Sequence, residues 1–174
     1  MIEASVFVGT SLDGFIARPD GSLDFLSQAG DEPHGYEEFI STVDAIVMGR
    51  KTYDIVLDFG DWPYSDIPVF VLSSTELKAP PPEAIVERMQ GDPSEIASEI
   101  AARGMGHIYV DGGLTVQQFL RAGLIQRLII SRVPVLIGEG IPLFGDLEED
   151  VVLRHVATRQ FASGLVQSEY EIVG

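Results

Sequence analysis

Two places in the chain combine residue types at a spacing that suits the binding of an anion. At each place a short β-type run stops on glycine and a helical pattern follows at once. The two runs are Val47–Thr52 (VMGRKT) and Ile108–Gly113 (IYVDGG). Glycine leaves backbone N–H groups bare at the positive end of the following helix, which makes such a junction a site for a phosphate group.

Each junction, considered alone, leaves two interpretations open. Arg50 and Lys51 lie where the helix dipole disfavours cations. A bound anion would remove that conflict, whereas the plain alternative is a pair of solvated surface cations. For Gly112-Gly113 the plain alternative is a tight strand-to-helix turn, and it is the better interpretation of that motif alone.

A third polar junction follows the predicted strand Val69–Leu72, where the hydroxyl groups of Ser73 and Ser74 can donate to a phosphate or serve as turn residues. Ligands of open α/β sheets bind at the carboxyl ends of the strands, and all three junctions occupy such ends. Together the three junctions predict a dinucleotide that carries an extra phosphate group.

The sequence lacks the motifs and side chains that several other kinds of active site require. The patterns GxxxxGK[ST], GxGxxG after a strand, and GxSxG do not occur. His34, His107 and His155 lie far apart, and the chain has no cysteine. A zinc deaminase site and a thiolate nucleophile are therefore excluded, and we expect no metal site.

Composition limits the class of protein. The chain has 174 residues, of which 45% are hydrophobic and 22% charged, which predicts a single domain over residues 1–174. The net charge of −16 disfavours nucleic acid and anionic membranes as partners. Salt screens charges beyond roughly 8 Å, so the local pair Arg50-Lys51 can still bind an anionic small molecule.

The same composition predicts a cytoplasmic location. No apolar run approaches the roughly 18 residues that a membrane span requires. The N-terminus lacks a secretory signal, and the absence of cysteine fits a reducing compartment.

Apolar β-type runs alternate with helical patterns along most of the chain. Strands are predicted at Ile2–Gly9, Phe15–Ala17, Ala45–Met48, Val69–Leu72, Ala84–Glu87, His107–Val110, Arg127–Pro134, Val152–Phe161 and Val166–Val173, and helices at Gly35–Thr42, Lys51–Leu57, Pro93–Arg103 and Thr115–Ala122. This order predicts a three-layer α/β/α fold with a mixed, mostly parallel sheet. The last two strands, joined by Ala162-Ser163-Gly164, predict an antiparallel hairpin at the C-terminal end.

Five segments of the chain match a known family in order: Ser11–Leu26, Val43–Val56, Val69–Ser74, Ile108–Ile125 and Pro134–Phe144. On these segments the chain resembles the dihydrofolate reductase-like fold, in the branch of the riboflavin-biosynthesis reductase. That branch comprises the C-terminal domain of the bifunctional deaminase-reductase and its stand-alone relatives. The five segments cover nearly the whole chain, and MGRKTY together with VDGG is their most specific part.

The resemblance implies an NADPH-dependent oxidoreductase, similar to 5-amino-6-(5-phosphoribosylamino)uracil reductase, that transfers hydride to a small heterocyclic or carbonyl substrate. It also implies a homodimer. Carried over by position, Gly49, Arg50, Lys51 and Thr52 would contact the cofactor phosphates, and Ser73 and Ser74 would contact the 2′-phosphate. The pyrophosphate would bind to Gly112, Gly113, Leu114 and Thr115. The nicotinamide would lie against Gly9 and Ile16.

On the substrate side, the resemblance implies that Asp13 and Gly14 open the site and that Ala17–Leu26 is a mobile lid. Two ordinary turns are the plain alternative for this region. Asp13 is the nominated proton donor, with solvent as its competitor. Arg18 is the nearest cation for a substrate phosphate.

Two rival functions stay open. Dihydrofolate reductases carry a pterin-binding acid on the first helix, but here Glu37 falls on the flank of that helix and Glu38 faces away from its core side. This pattern disfavours folate reduction. The other rival is a nucleotide-binding module without turnover.

Overall fold

The structure, a computed structural model, describes residues 2–174. Its strands are β1 (Glu3–Thr10), β2 (Phe15–Ala17), β3 (Ala45–Gly49), β4 (Val69–Leu72), β5 (Val86–Met89), β6 (His107–Asp111), β7 (Arg127–Arg132), β8 (Ile141–Pro142), β9 (Leu153–Gln160) and β10 (Val166–Ile172). Its helices are α1 (Tyr36–Ile40), α2 (Arg50–Leu57), α3 (Pro93–Ala102) and α4 (Gly113–Arg121), with a 3₁₀ helix at Asp24–Ala29.

Eight strands form one sheet in the order β5-β4-β3-β6-β1-β7-β10-β9. All neighbouring pairs are parallel except those of β10, which runs antiparallel to both β7 and β9. The turn between β9 and β10 contains Gly164 at φ 91°, in the left-handed region that favours glycine. The predicted mostly parallel sheet with an antiparallel C-terminal hairpin is confirmed.

Helices cover both faces of the central strands, because alternate residues of each strand are apolar on opposite sides. On one face α3 and α4 contribute Ile100 and Phe119 to a core with Val110 of β6. On the other face α1 and α2 contribute Phe39 and Tyr53 to a core with residues of β3. The sequence-based expectation of a three-layer α/β/α arrangement is thereby confirmed.

The structure differs from the predicted elements in a few places. Strand β5 begins at Val86 rather than Ala84, because residues 81–84 form a turn in which the Ala84 N–H donates to the Pro81 carbonyl at 3.0 Å. Strand β8 was not predicted; it has two residues and pairs with β2 in a separate small sheet. The 3₁₀ helix at Asp24–Ala29 begins within the segment expected to be a lid, Ala17–Leu26, and extends three residues beyond it.

None of the helices in residues 2–174 is long and apolar enough to cross a membrane. Within the same residues, no group of three or more His, Asp or Glu side chains is placed to hold a metal ion.

Candidate active site

The two glycine junctions lie side by side because their strands are neighbours. Strands β3 and β6 pair in parallel, with Met48 opposite Asp111. The residues that follow, Gly49 and Gly112, therefore leave the sheet at the same edge, and α2 and α4 begin there. The first backbone N–H groups of a helix have no partner within it, so two sets of free donors converge at this edge.

Each junction packs against a threonine of the other. A Cβ atom on Gly112 would lie 2.5 Å from the Oγ1 of Thr52, and a Cβ atom on Gly49 would lie 2.9 Å from the Oγ1 of Thr115. Both distances are too short for a real carbon contact. Glycine at these two positions therefore lets the two helix N-termini approach each other closely.

A cavity of about 390 Å³ opens in front of the two helix N-termini. Nine of the twelve predicted cofactor-binding residues line it: Ile16, Gly49, Arg50, Lys51, Thr52, Gly112, Gly113, Leu114 and Thr115. The sequence places these residues in three separate segments, and the fold brings them to one site. The donors and cations at this site are of the kind that binds dinucleotide phosphates.

The other three predicted cofactor residues do not line the cavity. Gly9 packs beneath the 3₁₀ helix, since a Cβ atom there would lie 3.2 Å from the Leu26 side chain. Ser73 and Ser74 lie in the turn after β4, where the Ser73 hydroxyl donates to the Thr75 carbonyl at 2.8 Å. That turn adjoins the cavity through Arg50, which donates to the Thr75 hydroxyl.

Two residues of this polar cluster were missed by sequence reasoning. Thr75 contacts Arg50, and the Arg88 guanidinium reaches the Ser73 carbonyl at 3.5 Å. Arg88 comes from β5, which pairs with β4 so that Arg88 lies opposite Val71. A single arginine on a short strand carries no sequence signal for this position, because only the strand pairing places it there.

Asp13 and Gly14, the predicted substrate-side residues, do not line the cavity. The Asp13 carboxylate accepts hydrogen bonds from the backbone N–H groups of Gly138 at 2.8 Å and Ile137 at 3.3 Å. A hydrogen bond from the Ser11 hydroxyl and those two N–H groups lower the pKa of Asp13. The carboxylate thus holds the turn at residues 137–138, and its contact with a substrate stays a prediction.

A carboxyl group that does line the cavity is that of Asp111, which sequence reasoning treated as part of a turn. Burial raises the pKa of Asp111 to about 6, although the Gly112 N–H donates to its Oδ1 at 2.9 Å and opposes the shift. Tyr64 also lines the cavity, and burial together with the nearby Asp111 carboxylate raises the pKa of its phenol. The sequence feature that could have identified Asp111 as a cavity residue is its position directly before the paired glycines Gly112 and Gly113.

The predicted lid covers the middle of α2. Ala17 and Leu23 line the cavity, and a Cβ atom on Gly21 would lie 3.2 Å from the Cδ1 of Ile55. The turn before the 3₁₀ helix is closed by an ion pair in which the Nε of Arg18 lies 2.5 Å from the Oδ1 of Asp24. This segment therefore forms one wall of the cavity.

The acidic residues of α1 lie elsewhere. Glu37 and Glu38 are exposed, and neither lines the cavity. Helix α1 instead buries Phe39 against the sheet. Among the described residues, α1 therefore contributes no carboxylate to the cavity.

Comparisons with known proteins show the family and the fold. A family model described as the RibD C-terminal domain matches residues 5–167. YwjB, an uncharacterized protein of Bacillus subtilis strain 168, is 33% identical over 172 residues, which are 95% of this chain and 95% of YwjB.

Solved structures share the fold. A protein of Shewanella sp. PV-4, assigned provisionally to riboflavin biosynthesis, superposes with a TM-score of 0.90 at 37% identity over 99% of this chain and 100% of that chain. Dihydrofolate reductase from Enterococcus faecalis, in a complex with NADP(H), superposes with a TM-score of 0.66 at 15% identity over 99% and 97% of the two chains. The second likeness shows that the chain has the dihydrofolate reductase-like fold.

Proposed function

The chain belongs to the RibD C-terminal domain family, and on that premise we propose that it is a single-domain, NADPH-dependent reductase of a small heterocyclic or carbonyl substrate. The observation that carries the proposal is the meeting of two helix N-termini and two cations at one cavity. Gly49 and Gly112 bring these groups together, and Arg50 and Lys51 supply the positive charge. Such an edge is suited to the phosphates of a dinucleotide.

The extra phosphate of NADPH would bind at the polar cluster beside the cavity. Arg50 already contacts Thr75 there, and Ser73 and Arg88 lie within hydrogen-bond reach of the same turn. Two guanidinium groups and the hydroxyls of the turn offer charge-assisted donors to a phosphate dianion. NADH lacks the 2′-phosphate, so the donors of this cluster would have no phosphate to bind in a complex with NADH.

NADPH supplies the hydride when it is bound, and the chain must position the substrate and deliver a proton. We assign the proton to the Asp111 carboxyl group. It lines the cavity, and its pKa of about 6 lets it hold and release a proton near neutral pH, unlike Asp13, whose pKa is lowered. The apolar wall formed by Leu23 and Ile55 would exclude water from the reacting groups.

The test is NADPH oxidation, followed by absorbance, with 5-amino-6-(5-phosphoribosylamino)uracil and separately with dihydrofolate. Turnover of the aminopyrimidine or of its relatives supports the proposal. Turnover of dihydrofolate alone would favour the folate reductase, which the exposed positions of Glu37 and Glu38 disfavour. Tight NADPH binding in a fluorescence titration without any oxidation would favour a non-catalytic nucleotide-binding module.

We also infer that the protein forms a homodimer through its C-terminal hairpin. Strand β9 is the edge of the sheet, and all eight of its residues are exposed. Val156 and Val166 are among the exposed apolar residues of this hairpin, at 45% and 38%. Sedimentation equilibrium of the chain and of Val156→Lys tests this: the native chain should be a dimer and the variant should shift toward monomer, whereas a monomeric native chain would refute it.

A further inference from the structure

A second cavity, of about 320 Å³, lies against the face of the sheet that α1 covers. Residues of β1, β7, β10 and β9 form its floor, and α1 with the residues on either side of it forms one wall. This second cavity shares no lining residue with the cavity at the two helix N-termini. Small-molecule sites span about 300–1,000 Å³, so the second cavity is large enough for a small ligand.

Four apolar side chains from α1 and three strands line the second cavity: Phe39, Phe7, Ile129 and Ala157. The rings of Phe7 and Phe39 stack, with their centres 5.0 Å apart. Strand pairing places Glu169 between the other two apolar residues, but its charge is neutralised, because the Nε of Arg127 lies 2.6 Å from its Oε1. An aromatic group can therefore pack here without burying an unpaired charge of the floor.

A buried amide holds the other arginine of this cavity, Arg159, in place. Gln167 is only 7% exposed, and its Nε2 donates to the His34 carbonyl at 2.8 Å and to the Ser131 hydroxyl at 3.0 Å. A carbonyl can only accept, so the amide nitrogen must face His34 and the amide oxygen faces Arg159, whose Nη2 donates to it at 3.2 Å. The Phe161 ring centre lies 5.2 Å from the guanidinium carbon. These contacts orient the guanidinium and leave donors free for a ligand.

An unpaired carboxylate lies beside this unpaired guanidinium. A Cβ atom on Gly35 would lie 3.3 Å from the Nη2 of Arg159 and 4.0 Å from the Oε2 of Glu38, so both charged groups flank the same residue of the wall. Within the described residues neither one forms an ion pair. A ligand with a single charge would meet one partner and one like charge here. A ligand that carries both charges on neighbouring atoms would meet two partners.

We propose that the second cavity binds an α-amino acid with an aromatic side chain. The carboxylate of the ligand accepts from the Arg159 guanidinium, its ammonium group donates to the Glu38 carboxylate, and its ring packs against the apolar side chains of the cavity, among them Phe7. This site is separate from the proposed reductase site and does not depend on that function.

Three compounds with the same ring test the inference by calorimetry on the full chain at neutral pH. L-Phenylalanine carries both charges, 3-phenylpropanoate lacks the ammonium group, and 2-phenylethylamine lacks the carboxylate. We expect L-phenylalanine to bind roughly tenfold more tightly than either of the other two, or better, because each of them loses a charge-assisted contact. No binding of L-phenylalanine, or equal binding of either single-charge compound, would overturn the inference.

Two variants assign the two charges of the ligand to their partners. Arg159→Gln should bring L-phenylalanine and 2-phenylethylamine to similar affinity, because the carboxylate then has no cation to meet. Glu38→Gln should bring L-phenylalanine and 3-phenylpropanoate to similar affinity for the converse reason. A variant that keeps the full preference for the amino acid would overturn the corresponding contact and with it the inference.

Each variant has a control that makes the same change of charge nearby. Arg154→Gln alters a cation of the same strand β9 that is outside the cavity and paired with Glu171, and Glu37→Gln alters an exposed neighbour on α1 outside the cavity. Both controls should bind L-phenylalanine like the unaltered chain. If they weaken binding as much as the test variants do, the net charge of −16 governs binding and the inference is overturned.

A competition experiment separates the two cavities. Saturating NADPH should leave the affinity for L-phenylalanine unchanged, because the two cavities share no lining residue. Loss of L-phenylalanine binding in the presence of NADPH would place the amino acid in the first cavity and overturn the inference. A chain that binds L-phenylalanine as expected but never binds NADPH would refute the proposed reductase alone.

Discussion

The two helix N-termini that meet at the cavity look alike in sequence but differ in what their glycines do. The first runs Gly49-Arg50-Lys51-Thr52 and the second Gly112-Gly113-Leu114-Thr115. Gly49 has φ −78°, which any residue can adopt, whereas Gly112 has φ 95°, in the left-handed region. Both glycines contact the threonine of the opposite junction. Glycine is required at position 49 only because a Cβ atom would clash with Thr115. At position 112 it is required both because a Cβ atom would clash with Thr52 and because φ is positive.

The second residue of each junction differs as well. Arg50 extends from the first junction to the turn at Thr75. The equivalent Gly113 is enclosed, since a Cβ atom there would lie 2.8 Å from the Pro142 carbonyl oxygen of β8. The first junction thus supplies charge and the second supplies bare backbone that packs closely. Two similar motifs at one edge of a sheet can divide the binding of one ligand between them.

The largest expected effect is that of alanine at the two glycines. Gly112→Ala should lower the free energy of unfolding by about 3 kcal/mol, since strain at positive φ adds to the clash with Thr52. Gly49→Ala should cost only about 1–2 kcal/mol, because only the clash with Thr115 opposes it. Urea denaturation measures both.

Double variants sharpen that contrast. In the Thr115→Ala background, Gly49→Ala should cost little stability, because the clashing hydroxyl is gone. In the Thr52→Ala background, Gly112→Ala should still lower the free energy of unfolding, because the backbone strain at positive φ remains. Equal rescue at both junctions would contradict the distinction between space and conformation.

The next effect concerns the charge at the first junction. Arg50→Ala should weaken NADPH binding roughly 10–100-fold, the loss expected for a hydrogen bond to a charged group, and should weaken NADH binding less. Ser73→Ala should act in the same direction with a smaller effect. Fluorescence titration with both dinucleotides measures this, and Lys78→Ala, an exposed cation outside the cavity, is the control. Equal weakening of NADPH and NADH would refute the 2′-phosphate assignment.

Asp111, just before the second junction, gives a pH-dependent effect. Burial raises its pKa from the ordinary 3.8 to about 6, so its protonated form stabilises the fold at low pH and this contribution is lost as pH rises through about 6. Asp111→Asn should therefore raise the free energy of unfolding at neutral pH by roughly 1–2 kcal/mol and change it little below the ordinary pKa. Denaturation curves across that range are the measurement, and a difference independent of pH would contradict the raised pKa.

The same residue should control the pH dependence of turnover. If the protonated Asp111 carboxyl group delivers the proton, kcat falls as pH rises through about 6. Asp13→Asn should keep that pH profile, because Asp13 holds the turn at residues 137–138. A profile that shifts in Asp13→Asn and persists in Asp111→Asn would return the role of proton donor to Asp13.

The smallest effect should come from the third residue of each junction. Lys51→Gln should weaken NADPH binding only about two- to fivefold, the loss typical of an exposed charge, and high salt should abolish the difference. Leu114→Gln alters the equivalent position of the second junction without a change in charge, so it should not change the salt dependence of binding. An equal salt response in both variants would contradict the division of charge between the junctions.

The sequence by itself determined most of the helices and strands and the residue types at their ends. Strands β2 and β4 have their predicted bounds, and the residue types at the ends of β3 and β6 predict phosphate binding when the junctions are taken together. These features depend on the apolar pattern of a few neighbouring residues and on the special backbone of glycine, so they are local and can be read from the chain.

Only the tertiary structure decided which of these ends meet. The pairing of β3 with β6 puts Gly49 beside Gly112, and the pairing of β4 with β5 brings Arg88 to Ser73. In the folded chain Asp111 is buried in the cavity, and the Asp13 carboxylate accepts a hydrogen bond from the backbone of the turn at Gly138. Strand pairing joins residues far apart in the chain, and burial depends on everything packed around a group, so no local pattern of residues encodes either one.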